Sequence, residues 1–227
     1  MKRNNQTLIR IAAIAVSIVV VISLSLAAGK SGAEGERYDK LESPVLDAKP
    51  SQEQTELPSS KIQVIVSAFI RVNRSLDRST AASYAVCILE AAERFGVHPF
   101  MVASIIIRES TVKQNAHSRY AYGLMQINWK AHRKGLKAAF NHIQTLDDLL
   151  QPRNNILAGT WIFSWYLKSS GGNIDRALAM YLGRSGKKYI RRVLAGYHQM
   201  LNEYEKIEKR ADRIAVGSTI SVAFAVE

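Results

Sequence analysis

The chain has 227 residues, of which 47% are hydrophobic and 22% charged, and this ordinary composition excludes a wholly disordered protein. The length allows one or two domains. The single cysteine, Cys87, excludes a disulfide framework and a zinc site built from cysteines. The five histidines show no metal-ligand spacing with acidic residues, so we expect no metal and no cofactor.

The N-terminal residues 1–29 have the charge order of an export signal. Lys2, Arg3 and Arg10 precede an uncharged apolar stretch. About 18 helical residues cover roughly 27 Å, barely the thickness of a bilayer. A cleaved signal peptide and a retained inner-membrane anchor over residues 11–28 therefore both fit. Both export the remaining chain, so we expect it in the periplasm or cell envelope.

Residues 30–60 have a different composition, with seven acidic residues, three prolines and few large apolar residues. This composition predicts a flexible acidic linker. Residues 1–30 carry +4 and residues 31–60 carry −4, so the formal net charge of +12 falls on the remainder. A basic exported domain favours a polyanionic partner, such as a cell-wall polymer or a membrane surface, over nucleic acid; surface charge for solubility explains the excess equally well.

From Lys61 onward the sequence predicts helix after helix, with no run of strict apolar–polar alternation. A first helix follows the helical spacing of apolar residues over 62–72. A second begins at Ser79 as its cap and ends before Gly96, and a third has Pro99 at its first position.

Three more helix starts have capping or proline signals, namely Thr145, Pro152 and Asn173, and a last long helix has its apolar face over 190–204. The prediction is an all-α fold, or a mainly helical α+β fold. It places a single globular domain over 61–208, after the apolar segment and the linker. Residues 209–227 form a C-terminal tail, and we expect a monomer.

One carboxylate, Glu109, falls on the apolar face of the third helix. It lies seven, four and three residues after the apolar residues of that face, Val102, Ile105 and Ile106. Loss of water and the negative end of the helix dipole both raise a carboxyl pKa, as a general acid near neutral pH requires. On spacing alone, an ion pair of Glu109 with Arg108 or Lys113 remains open.

The blocks around this carboxylate resemble a known family. Arg108-Glu109-Ser110 and Gly123-Leu124-Met125-Gln126 resemble the signature of the lysozyme-like SLT domain of soluble lytic transglycosylases. Three later segments fit the family in the same order: Pro152-Arg153-Asn154-Asn155-Ile156 with Gly159, Ala177-Leu178-Ala179-Met180-Tyr181, and Tyr189. The resemblance covers about residues 80–200, and blocks in the same order are more specific than any one of them.

The resemblance implies a lysozyme-like fold that binds peptidoglycan glycan strands and cleaves the MurNAc–GlcNAc bond, leaving 1,6-anhydroMurNAc ends. It implies Glu109 as the catalytic group for both proton transfers. It implies Tyr181 as the second catalytic residue, which would hold Glu109 or steady the developing charge, with a core tyrosine as the alternative. The substrate-binding residues that it implies are Ser110, Ser118, Gly123, Met125, Gln126 and Tyr189.

The number of carboxylates bears on the mechanism. No Asp or Glu lies between Glu109 and Asp147, and one acid/base suffices where the substrate's own hydroxyl is the nucleophile. The chain departs from the family at Leu182, where an Asn is usual, and in the loop over 183–186. A hydrolytic lysozyme-type muramidase and a non-catalytic wall-binding protein on the same fold remain alternatives.

Overall fold

The protein is described by a computed structural model that covers residues 59–184 and 186–223, with side chains as far as residue 214. These residues belong to the unit Gln54–Glu227. The apolar segment over 1–29, and the linker over 30–60 except for its last two residues, lie outside the described residues, so their interpretations stay predictions.

Eight helices make up most of the described chain. In order they are α1 Ser60–Val72, α2 Arg78–Phe95, α3 Pro99–Ser110, α4 Trp129–Ala139, α5 Leu146–Leu150, α6 Pro152–Ser169, α7 Ile174–Leu182 and α8 Lys187–Ala223. Residues 59–184 and 186–223 contain no extended strand, and two isolated bridges, His117–Tyr122 and Tyr122–Ile127, shape the connection between α3 and α4.

Most of the predicted helix ends are confirmed, because their capping chemistry is local. Gly96 ends α2 in the left-handed conformation with φ of 64°. Pro99 occupies the first turn of α3, and Asn173 caps α7 through a hydrogen bond from Arg176 N at 2.9 Å. Thr145 caps α5 in a reciprocal capping box.

The prediction that Ser79 caps α2 is wrong. Asp77 is the cap, because its Oδ1 accepts a hydrogen bond from Thr80 N at 2.8 Å. Ser79 lies inside the helix, and its hydroxyl donates to the same carboxylate at 2.6 Å.

The sequence analysis did not predict α4, and it placed the end of the domain inside α8. Leu136 is the one buried residue of α4, so this helix lacks the apolar repeat that identifies the others. The last helix runs without a break past residue 208, where we had placed the end of the domain, to Ala223. Among the described residues, no helix is long and apolar enough to cross a membrane.

The helix that carries Glu109 runs through the core. Eight of the 12 residues of α3 are buried. Ile105 is fully buried, and such burial stabilises a fold by about 1.5–3 kcal/mol per side chain. The α3 helix also contacts α8 closely, because Ser104 Oγ donates to Val193 O at 2.6 Å and Gly196 leaves room for it. This packing sets the end of α3 against the start of α8.

Candidate active site

Glu109 lies in the last turn of α3 and lines a cavity of about 390 Å³. Burial raises the pKa of its carboxyl above the ordinary value of 4.5, against smaller lowering effects of the Tyr189 hydrogen bond and the charge of Arg108. The raised pKa keeps the carboxyl protonated further towards neutral pH, as the sequence predicted from its place on an apolar helix face.

Tyr189, in the first turn of α8, is the tyrosine that contacts this carboxyl. Its hydroxyl donates a hydrogen bond to Glu109 Oε1 at 2.5 Å, and 9% of the residue is exposed. Burial, together with the negative charge of Glu109, raises the pKa of the Tyr189 phenol. The phenol therefore remains a donor at physiological pH. Among the described residues no donor contacts Oε2 of Glu109, so that oxygen is available to a ligand.

The partner role that we had given to Tyr181 is corrected by this geometry. Tyr181, near the end of α7, donates its hydroxyl to the carbonyl oxygen of Met125 at 2.8 Å. Burial raises the pKa of the Tyr181 phenol, and the charge of Glu109 adds to that shift. The Tyr181 hydroxyl therefore fixes the backbone of the Met125 turn and does not contact the Glu109 carboxyl.

The turn over Gly123, Leu124, Met125 and Gln126 is built by close packing. Gly123 has φ of 81°, and a Cβ at this position would overlap the Asn155 side chain. Gln126 Nε2 donates to the carbonyl oxygens of Ala116 at 2.9 Å and Gly123 at 3.0 Å. The Gln126 amide nitrogen therefore holds the turn from inside in this structure.

The Met125 side chain is fully buried, and a Cβ on Gly159 of α6 would overlap its sulfur atom. In this conformation the thioether presents no surface to a sugar, contrary to the contact that we expected. Close approach of α6 at Gly159 is what buries it. The contribution of Met125 to the site is its backbone, which receives the Tyr181 hydroxyl.

The two predicted serines occupy different environments. Ser110 is 5% exposed, and its hydroxyl donates to Ile106 O at 3.0 Å in its own helix, which takes it away from a direct sugar contact. Ser118 is exposed in the α3–α4 connection, where its Oγ accepts from Ala121 N at 3.2 Å. Neither serine lines the cavity at Glu109.

Asn155 is a structural centre of the site to which sequence reasoning gave no role. This fully buried side chain accepts from Met125 N at 2.8 Å and donates to the carbonyl oxygens of Tyr122 and Leu149, both at 3.1 Å. One amide therefore ties the first turn of α6 to the signature turn and to α5. The sequence signal was a polar residue directly before the apolar run that begins at Ile156.

Backbone strain is concentrated around the candidate site. The three non-glycine residues with positive φ in the described chain are Thr111 at 51°, Val112 at 59° and Gln126 at 47°. The left-handed region costs such residues about 1–3 kcal/mol each, and β-branched side chains rarely occupy it. Asn73 Nδ2 secures this backbone by donating to Val112 O at 3.1 Å. Strain that is maintained in this way is typical of functional sites.

Basic side chains surround the Glu109 cavity. Its lining consists of Arg108, Glu109, Leu182, Arg184, Gly186, Lys188, Tyr189 and Arg192, in which Glu109 is the one acid. A larger cavity of about 840 Å³ has Glu93 and Glu208 in its lining but neither Glu109 nor Tyr189. Its size therefore does not make it the candidate site. Within the described residues, no three His, Cys, Asp or Glu side chains gather to hold a metal.

The described part of the chain is a helical domain with a candidate acid–base site formed by Glu109 and Tyr189. The Transglycosylase SLT domain family matches residues 86–211, which is more than half of the chain. The chain belongs to this family. Family membership supports a peptidoglycan-acting function of the lytic transglycosylase type and the binding of peptidoglycan, and the mostly helical fold agrees with it.

Proposed function

We propose that this protein is an exported peptidoglycan lytic transglycosylase that cleaves the MurNAc–GlcNAc bond with Glu109 as its single general acid and base. The observation that carries the proposal is a desolvated carboxyl, hydrogen bonded by Tyr189, as the one acid in the cavity lining. The product is a 1,6-anhydroMurNAc end, and the C6 hydroxyl of the same MurNAc is the nucleophile.

The first step needs Glu109 protonated. Its raised pKa favours this state, and the carboxyl donates its proton to the leaving oxygen as the bond from that oxygen to C1 of MurNAc breaks. Positive charge develops on the sugar ring while Glu109 becomes a carboxylate. The Tyr189 hydroxyl strengthens its hydrogen bond to Oε1 as this charge appears.

The second step returns Glu109 to its starting state. The carboxylate removes the proton of the C6 hydroxyl, and the bond between O6 and C1 forms within the same sugar. No water enters the product, and Glu109 is protonated again. Tyr189 is a positioning residue in both steps, because its bond to Oε1 leaves Oε2 for the transferred proton.

The number of carboxyl groups in the cavity lining favours formation of the 1,6-anhydro product over hydrolysis. Retaining and inverting glycosidases use two carboxyl groups about 5–9.5 Å apart. Glu109 is the one carboxyl among the lining residues. Asp148, which follows Glu109 in the sequence, accepts hydrogen bonds in the capping box of α5. Two alternatives remain, a hydrolytic muramidase and a non-catalytic wall-binding protein, of which Leu182 suggests the second. The products released from peptidoglycan distinguish both of them from a lytic transglycosylase.

Export is part of the same proposal, because the substrate lies outside the inner membrane. Residues 11–28 supply either a cleaved signal or a retained anchor, and the anchor adds a membrane contact. We propose that the protein works as a monomer on glycan strands, since its candidate site is assembled within one chain.

Mass spectrometry of the products from purified peptidoglycan tests the function. We expect muropeptides with 1,6-anhydro ends from the wild type, and a loss of at least about 10²-fold in Glu109→Gln, which cannot transfer the proton. Glu93→Gln, an exposed acid on α2, is the matched control and retains wild-type turnover. Hydrated reducing ends would show a hydrolase, and absence of products from a folded wild type would favour the wall-binding alternative.

A further inference from the structure

Four cations form a basic rim on the Glu109 cavity. The rim consists of Arg108 on α3, Arg184 in the α7–α8 loop, and Lys188 and Arg192 on α8. All four are exposed, and they line the same cavity of about 390 Å³. A group of like charges converging on one cavity produces a strong positive potential there.

The described fold does not neutralise this rim with salt bridges. The ion pairs among the described side chains join Arg71 to Glu203, Arg153 to Glu90 and Lys209 to Glu205. None of these pairs includes a rim residue. The one carboxyl in the cavity lining is Glu109, and burial favours its uncharged form.

The arrangement of the rim on α8 opposes the stability of the helix. Lys188 and Arg192 are four residues apart on one face, and such like-charged pairs destabilise a helix slightly. The first turn of α8 has no acidic residue, although the positive end of a helix dipole favours acids over cations. A bound anion in the cavity offsets both effects.

We propose that the basic rim binds carboxylates of the peptide stems on the glycan strand, so that the enzyme selects stem-bearing, anionic strands. The inference rests on the proposed function, because it concerns the substrate of the same cavity. The sugars of peptidoglycan are neutral at the cleaved bond, whereas its stem peptides carry carboxylates. Guanidinium groups match carboxylates in a bidentate geometry, which suits Arg184 and Arg192 to this role.

The rim explains a departure from the family pattern. The loop over 183–186 differs from the usual family sequence, and it contributes Arg184 and Gly186 to the cavity. Lys188 directly precedes Tyr189, which holds Glu109. The segment that positions the proton-transfer group therefore also carries three of the four rim cations, so binding of a stem places the strand at the reacting carboxyl.

Two double variants on α8 provide a matched test. Lys188→Gln with Arg192→Gln removes two rim charges. Lys187→Gln with Arg191→Gln removes the same charge, at the same spacing on the same helix, from exposed residues outside the cavity lining. Both variants relieve a like-charge pair, so we expect equal melting temperatures.

The substrates are native strands and strands whose stem carboxylates have been converted to methylamides with a carbodiimide and an excess of methylamine. On native strands we expect the rim variant to raise KM about tenfold or more with little change in kcat, since charge-assisted hydrogen bonds to carboxylates are stronger than neutral ones. The control keeps the wild-type KM. On methylamidated strands, wild type, rim variant and control should share the raised KM. An equal KM on both substrates for the wild type would overturn the proposal.

Sedimentation of the Glu109→Gln protein with the two kinds of strand separates this inference from the proposed function. Stronger binding to native strands, lost in the rim variant and at high salt, supports stem recognition even if no anhydro ends form. Equal binding to both strands overturns it. Competition by poly(glycerol phosphate) but not by free stem peptides also overturns it, because the rim would then recognise a phosphate polymer.

Discussion

The hydroxyl of Tyr189 donates to Oε1 of Glu109 at 2.5 Å, although the two residues are 80 positions apart in the sequence. The bond connects the end of α3 to the start of α8. The same carboxyl is desolvated, which raises its pKa, and receives a donor, which lowers it. This balance suits a group that gives a proton away in one step and takes one back in the next.

Tyr189→Phe should shift the pH dependence of cleavage. Its hydrogen bond lowers the pKa of Glu109, so its removal raises that pKa and keeps the acid form to higher pH. We expect the alkaline limb of the pH–rate profile to move upward, with a lower maximal rate because Oε1 is no longer fixed. Tyr197→Phe, on the same helix but without a bond to Glu109, is the control. An unmoved limb would contradict the role of Tyr189.

Glu109→Gln should change stability in a pH-dependent way. The folded protein holds the pKa of Glu109 above 4.5, so the stability contributed by its protonated form is fully present below the unfolded pKa and is lost as pH rises through the folded pKa. The substituted side chain does not ionise, so the variant does not lose this stability as the pH rises. Its melting temperature should match the wild type in acid and exceed it increasingly at higher pH. A variant that is less stable than the wild type above the folded pKa would indicate a structural ion pair instead.

Tyr181→Phe should reduce both stability and activity. The substitution removes the donor from the buried Met125 carbonyl and leaves that oxygen unsatisfied, at a cost of about 1–3 kcal/mol. The loss corresponds to roughly 2–4 °C in melting temperature per kcal/mol. Tyr166→Phe, whose hydroxyl has no partner in the described chain, should melt within a degree or so of the wild type. Equal melting of the two variants would argue against the Met125 bond.

Asn155→Ala should be the most disruptive of these changes. Met125 N and Leu149 O lose a buried side-chain partner, and Tyr122 O keeps only Ile127 N. We expect an unfolding free energy lower by about 3 kcal/mol or more. Asn154→Ala is the control, since its side chain makes one hydrogen bond, to Asp148 O. Chemical denaturation and turnover measure both effects. Similar losses of stability and turnover in the two variants would contradict the role of the Asn155 hydrogen bonds in holding the site together.

Removal of residues 1–58 should leave the folded domain intact. Its first helix retains its cap in this truncation, because Ser59 Oγ accepts from Ile62 N at 3.4 Å. We expect unchanged helicity, melting temperature and turnover, as measured by circular dichroism and product release. Insolubility or a lower melting temperature would show that the acidic segment contributes to the fold.

The sequence predicted those features that depend on local chemistry. Caps and prolines identified most of the helix ends, and the apolar spacing before Glu109 predicted its desolvation. The helix α4 was missed because it buries one residue, Leu136, and therefore shows no apolar repeat. Its start at Trp129 was hidden in a polar, basic segment.

The direction of a side chain is set by tertiary packing, and periodicity does not specify it. We had assigned the contact with Glu109 to Tyr181 and substrate binding to Tyr189, but the hydroxyl that reaches Glu109 is that of Tyr189. Gly159 of α6 buries the thioether of Met125, and this contact joins residues 34 positions apart. The sequence did not predict the basic rim either, because its members come from α3, a loop and α8.

The hydrogen bonds of Asn155 imply an order in which the parts of the candidate site form. The turn that contains Met125 is synthesised 30 residues before Asn155, and its polar backbone groups lack these partners until α6 docks. Tyr189 leaves the ribosome later still, so Glu109 receives its donor last. A growing or refolding chain should gain helical signal before it gains cutting activity. If the proposed function holds, the newly made chain is inactive on peptidoglycan until its final helix has packed against α3.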